Sequence, residues 1–153
     1  MADTFDFLVI GGGSGGLAAA QRAAEYGARA AVVEGGRLGG TCVNVGCVPK
    51  KVMWAAASIA HQLAYAADYG FNVEYKGHDW AGFKARRDAY IKRLNGIYAR
   101  NLHNKEVEHI EGWAVFTAPN EIAVGGRKVR GERILIATGG RPWRPAIPGA
   151  ELG

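Results

Sequence analysis

Short, nearly unbroken apolar runs alternate along this chain with longer stretches in which apolar residues return every three or four positions. That is the pattern of strands alternating with amphipathic helices. Residues 5–10 form the first β-rich run, and they end on a loop from Gly11 to Gly16 in which only Ser14 is not glycine. An alanine-rich helix is predicted over 17–26, stopped by Gly27, and a second strand over 28–33 ends on Glu34. Pro49 suits the first turn of another helix, which continues through 53–69 to Gly70. Its alanines, on several faces, fit close packing against a second layer. Residues 71–77 read as an exposed connection. Asp79 is placed to cap a long helix in which Trp80, Phe83, Tyr90, Leu94, Ile97, Tyr98 and Leu102 mark one buried stripe, with Lys84, Arg86, Arg87, Lys92 and Arg93 between them.

Beyond that helix a strand at 107–110 leads to Gly112. Three short runs at 113–116, 122–124 and 128–130, separated by Pro119-Asn120 and Gly125-Gly126, read as an antiparallel meander. Residues 134–137 are fully apolar, as a buried parallel strand should be, and end on Thr138, Gly139 and Gly140. From Arg141 onward Pro142, Pro145 and Pro148 read as a linker. The fold class is therefore α/β: a Rossmann-like domain over 1–140 with a parallel sheet, crossover helices and a β-meander, followed by a linker over 141–153.

Gly11, Gly13 and Gly16 occupy the three glycine positions of a dinucleotide fingerprint. The first allows the tight turn, the second lets a pyrophosphate approach the backbone, and the third lets helix pack on strand. Ser14 is placed to cap the helix and to lie beside the phosphates. Glu34 comes about 20 residues on, where a carboxylate accepts hydrogen bonds from a ribose. Ligands in such sheets gather at the carboxyl ends of strands, so the Thr138-Gly139 turn belongs near the dinucleotide too. A βαβ unit without a ligand is the alternative.

With 153 residues, 48% of them hydrophobic and 23 of them glycine, the chain has the length and composition of one folded, turn-rich domain. Lysine and arginine number 19 against 14 acids, a net charge of +5, which suits an anionic small-molecule partner. The bases are scattered, with no dense tract or nucleic-acid module. The first six residues carry two acids and no base, the reverse of a secretory signal, and no apolar run approaches the about 20 residues that span a bilayer. A soluble, cytoplasmic chain is the expectation.

Against that background the stretch from Gly39 to Lys51 stands out, because it holds the only two cysteines, Cys42 and Cys47. None of His61, His78, His103 and His109 sits at a zinc-finger spacing from them, so no metal is expected. Two thiols with nothing else to bind suit a dithiol/disulfide couple. A structural disulfide or two buried free thiols are the alternatives that the pair alone leaves open. On a regular helix residues five apart are displaced by about 7.5 Å along the axis, beyond the roughly 4.4–6.8 Å usual between bridged Cα atoms, so a ring here needs a distorted turn with slack at Gly46. Cys47 falls near the start of the Pro49 helix, with Lys50 and Lys51 nearby, a setting that favours a thiolate. In a reducing compartment such a pair is more often catalytic than structural.

The motif resembles the active-site disulfide of the flavin-dependent disulfide reductases of the pyridine nucleotide-disulfide oxidoreductase family. Its ending, Val48-Pro49-Lys50-Lys51, looks most like the glutathione reductases and their trypanothione-reducing relatives. The resemblance covers nearly the whole chain: the Gly11–Gly16 loop, residues 39–51, the helix around Asp88, Ala89 and Tyr90, and the turn at 137–140. It implies FAD on the first glycine unit, with Ser14, Gly15 and Glu34 at the pyrophosphate and adenosine ribose. Gly40, Thr41 and Cys42 would lie along the flavin, Lys50 beside its reactive edge, and Ala114 at the adenine by its backbone. It further implies that Cys47 is the charge-transfer thiol and Cys42 the interchange thiol. Electrons would pass from NADPH through FAD and the ring to oxidised glutathione.

Ala18, Gln21, Ile97 and Tyr98 match positions that line the family's disulfide-substrate pocket, where Tyr98 would hydrogen-bond. The acid and the tryptophan that trypanothione-reducing members carry at the first two are absent, and Gln21 departs from an arginine found in some glutathione reductases. Full chains in the family are longer, carrying an NADPH domain and a histidine-glutamate acid/base pair given to the partner subunit of a homodimer. The resemblance thus identifies an N-terminal part, not expected to turn over by itself. A non-catalytic FAD- or nucleotide-binding module, and a trypanothione-, lipoamide- or mercury-type flavoprotein, are the competing readings.

Overall fold

A computed structural model describes residues 3–152. The first two residues, Met1 and Ala2, and the linker's last residue, Gly153, lie outside the described residues. Six strands make one sheet: β1 (Asp3–Ile10), β2 (Ala30–Glu34), β3 (Glu108–Glu111), β4 (Val115–Ala118), β5 (Glu121–Val124) and β6 (Arg127–Ile136). Their order is β3-β2-β1-β6-β5-β4. The first four in that order run parallel, with Leu8 beside Ala31 and Ile134, while β6-β5-β4 run antiparallel. The helices are α1 (Ser14–Glu25), α2 (Gly40–Asn44), α3 (Cys47–Tyr65) and α4 (Trp80–Asn104), with a 3-10 turn at Ala66–Tyr69.

Alternation along β1 splits the core in two, because successive side chains leave a strand on opposite faces. Leu8 and Ile10 join Ala31, Val33 and Ile110 on one face, where Ile122, Val124 and Val129 of the meander pack onto them. Val9 points the other way, to Val32 and to Leu17 and Ala20 of α1 and Leu102 of α4. The inner strands are buried on both faces, as the continuous apolar runs require.

Several expectations change. Residues 128–130 and 134–137 belong mostly to one ten-residue strand, β6, rather than to a meander strand and a separate parallel strand. Gly131 reads as punctuation, yet it keeps the strand going: its N–H donates to the Asn120 carbonyl at 3.1 Å, and a Cβ there would stand 2.7 Å from Leu8 Cβ. Ile136, expected buried, is 64% exposed. Ser14 is the first residue of α1 and makes no capping bond; Gly13 is the cap residue. The alanine-rich α3 buries only Pro49 and packs chiefly on α2 and α4, leaving Trp54, Ile59 and Tyr65 exposed instead of packed against a layer.

The expected stripe of α4 holds in part: Leu102 is buried and Phe83, Leu94, Ile97 and Tyr98 are half-buried, with Ile91 buried beside them, whereas Trp80 and Tyr90 are exposed. Asp79 does cap α4, its carboxylate accepting from Gly82 N–H at 2.9 Å. Residues 71–77 form the exposed connection expected.

At the amino ends of the parallel strands Arg127 of β6 donates to Asp3 of β1 at 2.7 Å and to Glu108 of β3 at 2.8 Å. All three side chains are over a third exposed, so this tie ranks well below the core in free energy. Arg127→Met is expected to lower stability by about 0.5–1 kcal/mol, and Leu8→Ala by about 2–5 kcal/mol. Urea unfolding of the reduced chain measures both, and equal losses would contradict this ranking.

Candidate functional site

The carboxyl ends of β1, β2 and β6 open onto one crevice of about 400 Å³, inside the roughly 300–1,000 Å³ range of small-molecule sites. Gly11 makes this convergence possible. It turns off β1 at φ +112°, a backbone conformation that glycine adopts freely, and a Cβ there would collide with the Ala137 carbonyl at the end of β6. Gly16, on the first turn of α1, likewise faces the Gly11 carbonyl with no room for a side chain, so helix and strand pack as the fingerprint implies.

The helix N-terminus is left open. No side chain caps α1, so the N–H groups of its first turn remain free for an anion, and nothing lies within 4 Å of where a Gly15 side chain would be. Ser14 and Gly15 line the crevice, as do Gly11 and Gly13. Glu34 stands at the second strand end with its carboxylate held by two backbone donors, Gly12 N–H at 2.6 Å and Gly36 N–H at 2.7 Å. Each oxygen keeps a free lone pair, so the group is oriented to accept from hydroxyls. Thr138 and Gly139 close the wall from β6, and Ala114 closes it from the segment before β4.

Opposite the glycine loop the wall is the redox segment. Gly40, Thr41 and Cys42 line the crevice, and a Cβ on Gly40 would lie 2.8 Å from Gly13 Cα, so the two loops touch backbone to backbone. The cysteines sit on different helices. Cys42 lies in the middle of α2, a helix that the sequence reading does not include, and Cys47 is the first residue of α3. Between them the backbone breaks at Val45 and at Gly46, whose φ of −118° and ψ of −113° are not helical. The distorted turn expected from ring geometry is thus a joint between helices. A Cβ on Gly46 would stand 2.8 Å from the Thr41 carbonyl oxygen.

Both cysteines are unbonded thiols, Cys42 half-buried and Cys47 exposed. The neighbouring Cys47 side chain, first of all, and then burial hold the Cys42 thiol above the ordinary cysteine range, while the Cys47 backbone and the charge of Lys50 oppose the rise. Cys47 is not on the crevice wall. Lys50 lies on α3 one turn after Cys47 and lines a neighbouring hollow with Asn44, Met53 and Arg87.

The four expected substrate residues are not on the crevice wall either. Ala18 is exposed on α1, Gln21 donates to the Leu17 carbonyl of its own helix at 2.9 Å, and Ile97 and Tyr98 are half-buried on α4, Tyr98 against the α1 core. A depression of about 980 Å³ at the end of α3, lined by residues such as Ile59, Tyr65 and Phe71, contains no expected site residue.

Two features went unread in the sequence. Trp113 lines the crevice with its indole against Gly35, where a Cβ would be 2.6 Å from the ring; the bare Gly35-Gly36 pair after Glu34 is the signal for that approach. Asn44 and Asn95 form a polar cluster behind Cys42. An asparagine among the small and apolar residues of the motif, and another on the buried side of α4, were its traces.

Because a raised pKa leaves less thiolate at a given pH, alkylation of Cys42 in the reduced chain is expected to rise at higher pH than for a free cysteine. Cys47→Ala removes the main cause and should move the curve to lower pH. Peptide-resolved mass spectrometry after iodoacetamide pulses follows each site. A curve unmoved by Cys47→Ala would contradict the assignment.

Comparison with known proteins agrees with this site. The family pyridine nucleotide-disulphide oxidoreductase matches residues 5–153. The chain is similar to a protein named glutathione reductase from Yarrowia lipolytica, 53% identical, with 97% of this chain and 35% of the relative covered. It is similar to another of that name from Schizosaccharomyces pombe, 51% identical over 100% of this chain and 35% of the relative. A third, from Debaryomyces hansenii, is 45% identical over 97% of this chain and 36% of the relative. The chain spans about a third of the length of these curated relatives. A family match over almost every residue, with Cys42 on the wall of the glycine-lined crevice, leads to one conclusion: this chain belongs to the pyridine nucleotide-disulphide oxidoreductase family.

Proposed function

We propose that this chain is the FAD-binding and dithiol part of an NADPH-dependent glutathione-disulfide reductase. The observation that carries the reading is Cys42 on the wall of the crevice, with Cys47 near enough to raise its pKa. The residues fit the cofactor. An uncapped helix N-terminus meets a pyrophosphate, an oriented Glu34 carboxylate accepts from ribose hydroxyls, and bare glycine backbone admits both closely. Ala114, Thr138 and Gly139 would bound the adenine and the dinucleotide's flank. When bound, FAD supplies the two-electron exchange between NADPH and the thiol pair.

The chain's own part is proton and thiol chemistry. Cys42 attacks one sulfur of oxidised glutathione and releases one glutathione as thiol. Cys47 then attacks Cys42, closing the ring and releasing the second. A raised Cys42 pKa means that its attack needs a base, and the acid/base pair of a partner subunit in a homodimer would fill that role. By the resemblance to the family, Cys47 at the amino end of α3, off the crevice wall in the dithiol state, would be the sulfur that exchanges electrons with the cofactor, with Lys50 one turn further on. Ala18, Gln21, Ile97 and Tyr98 would contact glutathione, and a reducing compartment such as the cytoplasm would keep the couple turning over. No helix among the described residues is long and apolar enough to cross a membrane.

Single-turnover chemistry tests this on the chain itself. Reduced chain mixed with oxidised glutathione is expected to yield two glutathione thiols and one intramolecular disulfide. Cys47→Ser should stop at one glutathione bound to Cys42, and Cys42→Ser should release no thiol by this route. Added FAD should bind with loss of its fluorescence, and Glu34→Ala should weaken that binding by about tenfold, as one lost charge-assisted pair predicts. Full thiol release by Cys42→Ser would overturn the reading.

A further inference from the structure

Behind the redox segment two asparagines join into one polar latch. Asn95, on α4, donates from its amide nitrogen to the Leu38 carbonyl at 2.8 Å and to Asn44 Oδ1 at 3.0 Å. Asn44, on α2, spends its own amide nitrogen on the Gly40 carbonyl at 2.9 Å and on the Leu38 and Arg37 carbonyls at 3.2 Å each. The acceptors are the backbone that leads into α2, and Asn44 lies between the two cysteines. Among the described residues these are the hydrogen bonds that tie α4 to the segment carrying Cys42.

The latch has a job to do, because α2 has little else to hold it. It is five residues long and has a glycine cap residue in the left-handed conformation, and only Val43 within it is buried. A helix that short is marginal by itself. It joins α3 through the non-helical Val45-Gly46 joint. Closing a ring across that joint requires both thiols to be held in place beforehand, and the advantage of an intramolecular reaction lies in such pre-positioning. An aliphatic side chain at 95 would leave Asn44 Oδ1 without its donor and the Leu38 carbonyl with only the longer bond from Asn44.

We propose that Asn44 and Asn95 are positioning residues that hold α2 against α4 and thereby set the dithiol/disulfide equilibrium of Cys42 and Cys47. The inference rests on the reading of this pair as a redox couple. The reaction is Cys42-SH plus Cys47-SH plus glutathione disulfide giving the ring plus two glutathione thiols, so two electrons and two protons pass to glutathione. With the latch intact ring closure is favoured; without it the thiols sample more arrangements and the ring opens more easily.

The test is a redox titration of the chain in mixtures of reduced and oxidised glutathione, trapped with a maleimide and resolved by mass. Asn95→Ala is expected to lower the ring-closure constant about tenfold, equivalent to about 30 mV for this two-electron couple. Asn44→Ala should do the same, and the double variant should be no worse than either, since both break one unit. Asn95→Asp, which keeps the shape but loses the amide donors, serves where the alanine variant does not fold. Arg127→Met lowers stability at the far end of the sheet and should leave the constant unchanged, separating position from stability. A wild-type ring with an unmoved constant in the Asn95 variants, or a shift of equal size in Arg127→Met, would overturn the inference alone. A wild-type chain that forms no ring at all would instead overturn the redox reading beneath it.

Discussion

Backbone meeting backbone at the carboxyl end of the sheet is the constraint on which the rest of this structure depends. Gly11 against the Ala137 carbonyl joins β1 to the end of β6, Gly16 against the Gly11 carbonyl seats α1, and Gly40 against Gly13 brings the redox segment to the nucleotide loop. Each contact excludes even a methyl group, and overpacking at such points costs roughly 1–3 kcal/mol or more. Three strand ends, a helix N-terminus and a thiol therefore share one small volume. That crowding sets an uncapped helix end, an oriented carboxylate and a sulfur around one crevice, the arrangement on which the proposed function rests.

What the sequence made legible was what local rules govern. The first βαβ unit could be read because a strand, a glycine turn, an alanine-rich helix and a terminal acid each have their own signature and agree with one another. The parallel sheet and the meander followed from apolar runs and turn residues. What escaped depended on contacts distant in sequence. The continuity of β6 through Gly131 is decided by Leu8 of β1, more than a hundred residues away, and no local pattern reports that. The packed side of α4 also holds Asn95, a polar residue whose amide meets the Leu38 carbonyl. Periodicity counts only apolar residues and so missed it.

The candidate site divides in the same way. The residues that line the crevice, Gly11, Gly13, Ser14, Gly15, Glu34, Gly40, Thr41, Cys42, Ala114, Thr138 and Gly139, were named from motif and resemblance, and the fold brings them to one place. Cys47, Lys50 and the four positions matched to the substrate pocket lie off that wall. Residue identity reveals what a motif holds in common with others. It does not reveal which side of a joint each member faces. The short helix α2 was unreadable for a related reason: five residues with a left-handed glycine cap carry no periodic signal.

The joint at Val45 and Gly46 has a mechanical meaning. The sulfurs belong to separate helices, and the two residues between those helices set how the sulfurs stand to one another. In the proposed dithiol couple the strain of closing the ring would therefore fall on this two-residue bend and not on helical hydrogen bonds.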